Sequence, residues 1–152
     1  PIIGVTPDSE LHIALRFECA GSIPETVLTD PSRLRQIITN LIGNAIKFTE
    51  QGEIQVAFRT ATDGWAMVVR DTGMGIPAER LPDIFEPFRR GSDYATRHHQ
   101  GAGLGLSIVK RYAENAGGRI WFESESGKGS VFYVEFPLYK TGNGKINNQI
   151  DG

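Results

Sequence analysis

The sequence predicts one α/β domain, in which segments with strand and helix patterns follow one another along 152 residues. Two patterns carry the prediction: apolar residues at every second position of residues 11–19, and apolar residues at helical spacing from Leu34 to Phe48. An apolar content of 39% is enough for one buried core. We therefore expect a single domain over residues 11–138, preceded by a linker at 1–10 and followed by a polar, frayed tail at 139–152.

The elements of the domain can be predicted in chain order. The alternation at 11–19 indicates a strand with one buried face. Asp30 stands directly before Pro31, as an N-cap stands before a first-turn proline, so a helix is predicted over 31–48. A hairpin follows, with strands at 53–60 and 65–71 and a turn at 62–64. Next come a short helix near 78–86 and a polar loop at 89–100. The last predicted elements are a helix from 101 to about 116 and two strands at 119–124 and 130–137.

The composition excludes several kinds of partner. Sixteen basic and 18 acidic residues give a net charge of −2, so the chain as a whole attracts neither nucleic acid nor an anionic membrane. Cys19 is the single cysteine, which excludes an internal disulfide and suits the cytoplasm. No apolar run approaches the roughly 18 residues of a membrane span. Because the chain begins at Pro1, we expect a fragment of a longer protein. The fragment itself is not expected to be inserted in a membrane, but its parent could be membrane-anchored.

The predicted long helix carries a stripe of four polar side chains: Gln36, Asn40, Asn44 and Lys47 are spaced four, four and three residues apart and share one face. Most other positions of the helix are apolar, so it should be largely buried. A solvated stripe is the ordinary alternative. Asparagine, however, disfavours helix interiors. Its carboxamide oxygen suits Mg²⁺, which commonly takes one or two protein ligands and phosphate oxygens, and a lysine adds a point charge for the same phosphates.

A second polar feature is Asp71, which ends a predicted apolar strand and is followed by Gly73 and Gly75. Glycine lets a backbone approach a flat ligand closely. A carboxylate at that strand end could accept a hydrogen bond from an exocyclic amine such as that of adenine. Asp-Thr-Gly is also the tripeptide of aspartic proteases, which need two such carboxylates, and this chain has one copy. A homodimeric protease and an ordinary turn stay open as alternatives.

A third feature is the glycine cluster Gly101, Gly103 and Gly105, followed by Leu106, at the start of a predicted helix. The unpaired amides of a helix N-terminus form an anion site. The spacing does not fit Gly-x-Gly-x-x-Gly, and no Gly-Lys-Ser/Thr is present to indicate a P-loop.

Between these features lies a segment with two phenylalanines and two arginines. Phe85 and Phe88 are interpreted as hydrophobic anchors of the following loop. Arg89 and Arg90 could clamp a terminal phosphate through bidentate hydrogen bonds.

In this order the features resemble the ATP-binding catalytic domain of sensor histidine kinases, within the superfamily that also contains gyrase B, the Hsp90 chaperones and the MutL mismatch-repair proteins. The similarity covers about Leu11 to Leu138. Its four motifs are an N box at 40–49, a first glycine box at 71–75, an F box at 85–88 and a second glycine box at 101–106.

The resemblance implies a two-layer α/β sandwich, the Bergerat-type ATP-binding fold, in which a mixed sheet packs on three α-helices and a lid at about 89–102 covers ATP or ADP. It also implies residue roles. Asn44 would coordinate Mg²⁺, Asn40 and Lys47 would contact phosphates, and Arg90 would approach the terminal phosphate. Asp71 would bind the adenine amine, with Phe48 near the base. The remaining implied contacts are the glycine-box residues Gly73, Gly75, Ile76, Gly101, Gly103, Leu104, Gly105 and Leu106.

The implied reaction is transfer of the γ-phosphoryl group of ATP to a histidine on a separate dimerising helical domain, with a response regulator as indirect partner. The acceptor motif, a histidine followed by an acidic residue, is absent, because His12, His98 and His99 precede isoleucine, histidine and glutamine. We therefore expect the chain to bind Mg-ATP and to phosphorylate only an acceptor domain that is supplied to it.

Two other functions remain open at this stage. Hydrolytic ATPases of the gyrase, chaperone and MutL type carry a glutamate one turn before the first asparagine as general base, where this chain has Gln36. A glutamine cannot accept that proton, which favours the kinase. A nucleotide-sensing module without turnover is the other alternative.

Overall fold

The computed structural model describes residues 2–3, 12–21, 23–24, 27–87 and 105–138 of the chain. In these residues a six-stranded sheet packs against two α-helices, and a short 3-10 helix lies between the fourth strand and the second α-helix in the chain. The strands are β1 (Ile2–Ile3), β2 (His12–Ala20), β3 (Gln51–Ala61), β4 (Gly64–Asp71), β5 (Arg119–Glu125) and β6 (Gly129–Pro137). The helices are α1 (Pro31–Phe48), the 3-10 helix (Ala78–Asp83) and α2 (Gly105–Asn115).

The sheet is mixed, as the resemblance implies. Its strand order is β1-β2-β3-β4-β6-β5, and only the β2–β3 pair among the described strands is parallel. A parallel pair needs a crossover connection, which α1 provides between β2 and β3. The edge strand β1 pairs with β2 and is an addition that the sequence pattern does not predict.

Helix α1 begins and ends where the sequence predicts. The Asp30 carboxylate accepts hydrogen bonds from the amides of Ser32 and Arg33 at 2.9 and 3.2 Å, and Pro31 occupies the first turn. The helix faces the sheet through Ile37, Leu41 and Ala45.

The core lies between the helices and one face of the sheet, which makes a two-layer sandwich. Alternate residues of the central strands point toward the helices, and these side chains are buried: Ile54, Val56, Met67, Val69, Phe132 and Val134. Helix α2 adds Val109 and Ala113 to the same cluster.

Two predictions about the helices are wrong in part. The short helix expected near 78–86 is a 3-10 helix of six residues that contains Pro82, so the third helix of the expected fold is not α-helical in the described residues. The expectation that α1 is largely buried is wrong in part, because the sheet covers only one side of the helix: Ile37, Leu41 and Ala45 are buried, but Ile46 is 47% exposed. None of the helices within the described ranges is long and apolar enough to span a bilayer.

Candidate functional site

The polar stripe of α1 is present, and its middle faces the first residue of α2. Gln36 Nε2 donates to Asn40 Oδ1 over 3.0 Å, and Asn40 Nδ2 donates to the carbonyl oxygen of Gly105 over 3.2 Å. A Cβ atom placed on Gly105 would lie 3.9 Å from Asn44 Nδ2. The two asparagines are half-buried, whereas Gln36 is exposed. The structure therefore brings Gln36, Asn40, Asn44 and Gly105 together at one surface.

The end of α1 adds a cation and an aromatic ring to this surface. Lys47 Nζ lies 5.5 Å from the centroid of the Phe48 ring, and both side chains are half-buried. A lysine in the last turn is favoured by the negative end of the helix dipole. A positive charge thus stands one turn beyond Asn44 on the same helix.

Asp71 is buried because it continues the inward-facing alternation of β4. Trp65, Met67 and Val69 precede it on the helix-facing side, and Asp71 is only 7% exposed. Its carboxylate accepts hydrogen bonds from the backbone amides of Gly73, at 2.9 Å, and Ser130. Burial raises the pKa of the Asp71 carboxyl above the usual 3.8, and these two hydrogen bonds oppose the rise.

Gly73 and Gly75 are required by contacts within the protein. A Cβ atom on Gly73 would collide with the carbonyl oxygen of Phe48, and one on Gly75, whose φ is +67°, would collide with that of Glu125. The missing side chains leave space for the end of α1 and for the β5–β6 hairpin. The close approach of these glycines to a ligand stays a prediction.

Main-chain hydrogen bonds hold the segment after Asp71 at three points. The amide of Thr72 donates to the Glu53 carbonyl at 3.1 Å, and that of Met74 to the Phe48 carbonyl at 3.0 Å. The Met74 carbonyl accepts from Gly127 at 2.7 Å. The carboxylate of Asp71 is therefore presented next to a fixed backbone.

Ile76, Leu106 and Phe85 join this region to the core. The Ile76 amide donates to Ser124 Oγ over 2.8 Å, and the side chains of Ile76 and Leu106 pack against the buried cluster. The Phe85 ring meets Phe122 edge to face with centroids 5.6 Å apart. Phe85 thus packs on the sheet, whereas the loop that it is predicted to anchor lies outside the described residues, so that role stays a prediction.

Several predicted residues lie outside the described part of the chain. They are Phe88, Arg89, Arg90, Gly101, Gly103 and Leu104, together with the loop at 89–100 and its two histidines.

Two residues beside Asp71 were not predicted individually. The Ser130 amide donates to the carboxylate. Thr49 Oγ1 and Asp71 Oδ1 lie 2.8 and 2.9 Å from the position that a Cβ atom on Gly73 would occupy. Ser130 is the register partner of Asp71 on β6, so only the strand pairing reveals it. Thr49 belongs to the N-box segment, but its proximity to Asp71 depends on the packing of α1 against the sheet.

A separate cavity of about 300 Å³ lies at the other end of the helices. It is lined by residues from the start of α1, such as Arg33, from the end of α2, such as Tyr112, and by Trp65 and Phe136. None of the predicted site residues lines it, so it is distinct from the surface formed by Asn40, Asn44 and Asp71.

A mixed sheet with helices on one face, amides and an ammonium group on one helix, and a buried carboxylate at the adjacent strand end is the arrangement of an ATPase-type nucleotide-binding domain. Residues 29–140 match the family model described as histidine kinase-, DNA gyrase B-, and HSP90-like ATPase. The chain belongs to this family.

The curated relatives are sensor kinases. The chain is 48% identical over 110 residues to the sensor histidine kinase AruS of Pseudomonas aeruginosa, which covers 69% of this chain and 11% of that protein. It is 39% identical over 136 residues to the signal transduction histidine-protein kinase BarA of Escherichia coli K12, covering 86% of this chain and 15% of BarA. The chain thus spans only a small part of the length of these relatives.

Solved structures of histidine kinases share the fold. Full-length ShkA in complex with AMPPNP matches with a TM-score of 0.72 and 36% identity, over 83% of this chain and 26% of ShkA. The nucleotide-free catalytic domain of the histidine kinase ThkA matches with a TM-score of 0.66 and 32% identity, over 83% of this chain and 80% of that domain.

Proposed function

We propose that this chain is the catalytic domain of a sensor histidine kinase, which binds Mg-ATP and transfers the γ-phosphoryl group to a histidine on a separate dimerisation domain. The observation that carries the proposal is the convergence of Asn40 and Asn44 on the start of α2, with the buried Asp71 carboxylate next to the end of the same helix α1. One helix thus connects a surface suited to phosphates with a group suited to a purine.

Asp71 is the proposed acceptor for the adenine amine. Its carboxylate is held by two backbone amides in surroundings that raise its pKa through burial, and a hydrogen bond from a ligand donor to a poorly solvated anion is strong. Phe48, half-buried at the end of α1, is proposed to pack near the base.

Asn44 is the proposed protein ligand of Mg²⁺. No group of three or more histidine, cysteine or acidic side chains in the described ranges is arranged to hold a metal. A single neutral carboxamide fits an ion that keeps mostly phosphate and water oxygens. The ion would neutralise charge on the terminal phosphates. We assign the phosphates themselves to Asn40, Lys47, Arg90 and the amides at the start of α2, including Gly105.

The proposed catalysis consists of positioning and charge neutralisation, as is usual for phosphoryl transfer. The acceptor histidine comes from a dimerisation domain of the parent kinase, and a response regulator receives the phosphoryl group afterwards. The proposed location of the chain is the cytoplasmic side of a parent kinase anchored in the membrane.

Gln36 disfavours the alternative of a hydrolytic ATPase. Its amide nitrogen donates to Asn40 Oδ1 over 3.0 Å, so it orients the asparagine. A glutamine cannot act as the general base that activates water.

The test is incubation of the chain with ATP labelled at the γ-phosphate, with and without an added histidine-bearing dimerisation domain. Label on that domain is the expected result. Free phosphate without labelled protein would identify a hydrolase, and bound but unreacted ATP would identify a sensing module. Asn44→Ala serves as the inactive control.

A further inference from the structure

Thr49 is a buried residue with an unexplained polar group. The side chain is 2% exposed, and Oγ1 is buried without a hydrogen-bond partner, the one such side-chain atom among the described residues. An unpaired buried hydroxyl is costly, and native structures contain few of them. The arrangement therefore needs a reason.

The hydroxyl and the carboxylate that is proposed to bind the base both lie close to Gly73. The position that a Cβ atom on Gly73 would occupy is 2.8 Å from Thr49 Oγ1 and 2.9 Å from Asp71 Oδ1. The two oxygens thus converge on one point next to the main chain of Gly73. This main chain is pinned, because Gly73 N donates to Asp71 Oδ1 and Met74 N donates to the Phe48 carbonyl.

The hydrogen-bonding capacity of Asp71 leaves room for a further donor. An ionised carboxylate accepts about four hydrogen bonds. The backbone amides of Gly73 and Ser130 supply two, and the proposed adenine amine supplies a third. Thr49 is the adjacent hydroxyl without any other partner in the described structure.

We propose that Thr49 is a positioning residue for Asp71, whose hydroxyl donates to the carboxylate when the adenine amine is bound. Thr49 then contributes to the selection of adenine without touching the nucleotide. The inference rests on the proposed function, since it takes Asp71 as the acceptor of that amine. A hydrogen bond from Thr49 to Asp71 in the bound state would remove the cost of the unpaired hydroxyl, and this gain would couple the hydroxyl to base binding.

The test compares Thr49→Val, which keeps the shape and removes the hydroxyl, with Thr49→Ser, which keeps the hydroxyl. Calorimetry with the full chain measures binding of ATP and of purine riboside triphosphate, which lacks the exocyclic amine. For Thr49→Val we expect an ATP affinity about tenfold lower, because one hydrogen bond to a charged acceptor is lost. We expect unchanged affinity for the amine-less nucleotide, and wild-type behaviour of Thr49→Ser.

The melting temperatures of the nucleotide-free proteins distinguish a positioning role of Thr49 from a role in packing. Thr49→Val should melt at the same or a higher temperature than the wild type, because the unpaired hydroxyl is gone. Lower ATP affinity together with undiminished stability supports the inference. Equal losses for both nucleotides, or an unchanged ATP affinity, would overturn it.

A double-mutant cycle with Asp71→Asn separates this inference from the proposed function. If Thr49 acts through Asp71, Thr49→Val should cost no further affinity in the Asp71→Asn background. A full additional loss there would overturn the inference while leaving Asp71 as the base-reading residue. Wild-type ATP affinity in Asp71→Asn itself would instead overturn the role of Asp71, and the role of Thr49 with it.

Discussion

The side-chain amide of Asn40 donates to the backbone carbonyl of Gly105 over 3.2 Å, while its oxygen accepts from Gln36. This bond joins the middle of α1 to the first residue of α2. It orients the carboxamide and places the beginning of α2 next to the polar stripe. The amide stripe therefore has a structural function in the described state, in addition to its proposed contacts with phosphates.

Replacing Asn40 by aspartate should weaken nucleotide binding more than replacing it by alanine. Aspartate loses the donor to Gly105 and places a negative charge beside a carbonyl oxygen and the proposed phosphate site. Alanine removes the bonds to Gly105 and Gln36 and the proposed phosphate contact, at a cost of about 1 kcal/mol for each bond, but adds no charge. Calorimetric titration with AMPPNP should give affinities that decrease from the wild type to Asn40→Ala and further to Asn40→Asp. Equal affinities of the two variants would argue against a nearby phosphate.

Asn44→Ala should remove Mg²⁺-dependent nucleotide binding. Losing even a residue that supports a metal ligand typically costs about 10–100-fold in metal affinity, and losing the ligand itself should cost at least as much. Titrations with and without EDTA isolate the metal-dependent part. Gly43→Ala is the matched control, because a Cβ atom there meets no atom of the described residues within 4 Å. Unchanged binding by Asn44→Ala would refute the assignment.

Asp71→Asn should lower the affinity for ATP by about 10–100-fold and reduce the preference for adenine over guanine. The acceptor for the amine loses its charge, and hydrogen bonds to charged groups contribute about 1.5–3 kcal/mol. Competition between ATP and GTP measures the preference. A variant that still selects adenine as well as the wild type does would contradict the role of Asp71.

The raised pKa of Asp71 also has consequences for pH dependence. The folded state binds this proton more tightly than the unfolded state, so the stability contribution is fully present below pH 3.8 and is lost as pH rises through the folded pKa. Nucleotide-free Asp71→Asn should therefore melt at a temperature at least as high as the wild type at neutral pH. Base binding needs the ionised form, so the ratio of wild-type to Asp71→Asn affinity for ATP should fall on acidification toward that pKa.

Gly73→Ala should lower the stability of the fold, whereas Gly105→Ala should lower nucleotide affinity. A Cβ atom on Gly73 collides with the Phe48 carbonyl, so this variant should lose at least about 2 kcal/mol in the free energy of unfolding. At Gly105 the nearest atom of the described residues, Asn40 Cγ, is 3.8 Å away, so the fold should keep its stability. The added methyl group nevertheless enters the proposed phosphate surface, and AMPPNP affinity should fall. Urea unfolding and calorimetry separate the two effects.

The local features of the fold were readable from the sequence. The bounds of α1 follow from Asp30 and Pro31, which act on their own turn. The inward orientation of Asp71 follows from the alternation that begins at Trp65. Such signals need only neighbouring residues.

Features that depend on packing were not readable. Ile46 is apolar yet exposed, since the side of α1 that the sheet covers is fixed by the tertiary structure. The contact between Gly73 and Phe48 joins segments distant in sequence, and the pairing of Asp71 with Ser130 needs the strand order. The fold class and the family motifs were predictable, whereas Thr49 could be found only in three dimensions.

The three main-chain bonds after Asp71 have a kinetic consequence. The amide of Thr72 is bonded to β3 and that of Met74 to the end of α1, while the amide of Gly127 in the β5–β6 turn is bonded to the Met74 carbonyl. Their hydrogens should exchange slowly with deuterated solvent before any nucleotide is added, and the rates should change little on binding. The purine would then meet a preformed surface, so little ordering entropy would be lost on that side of the ligand.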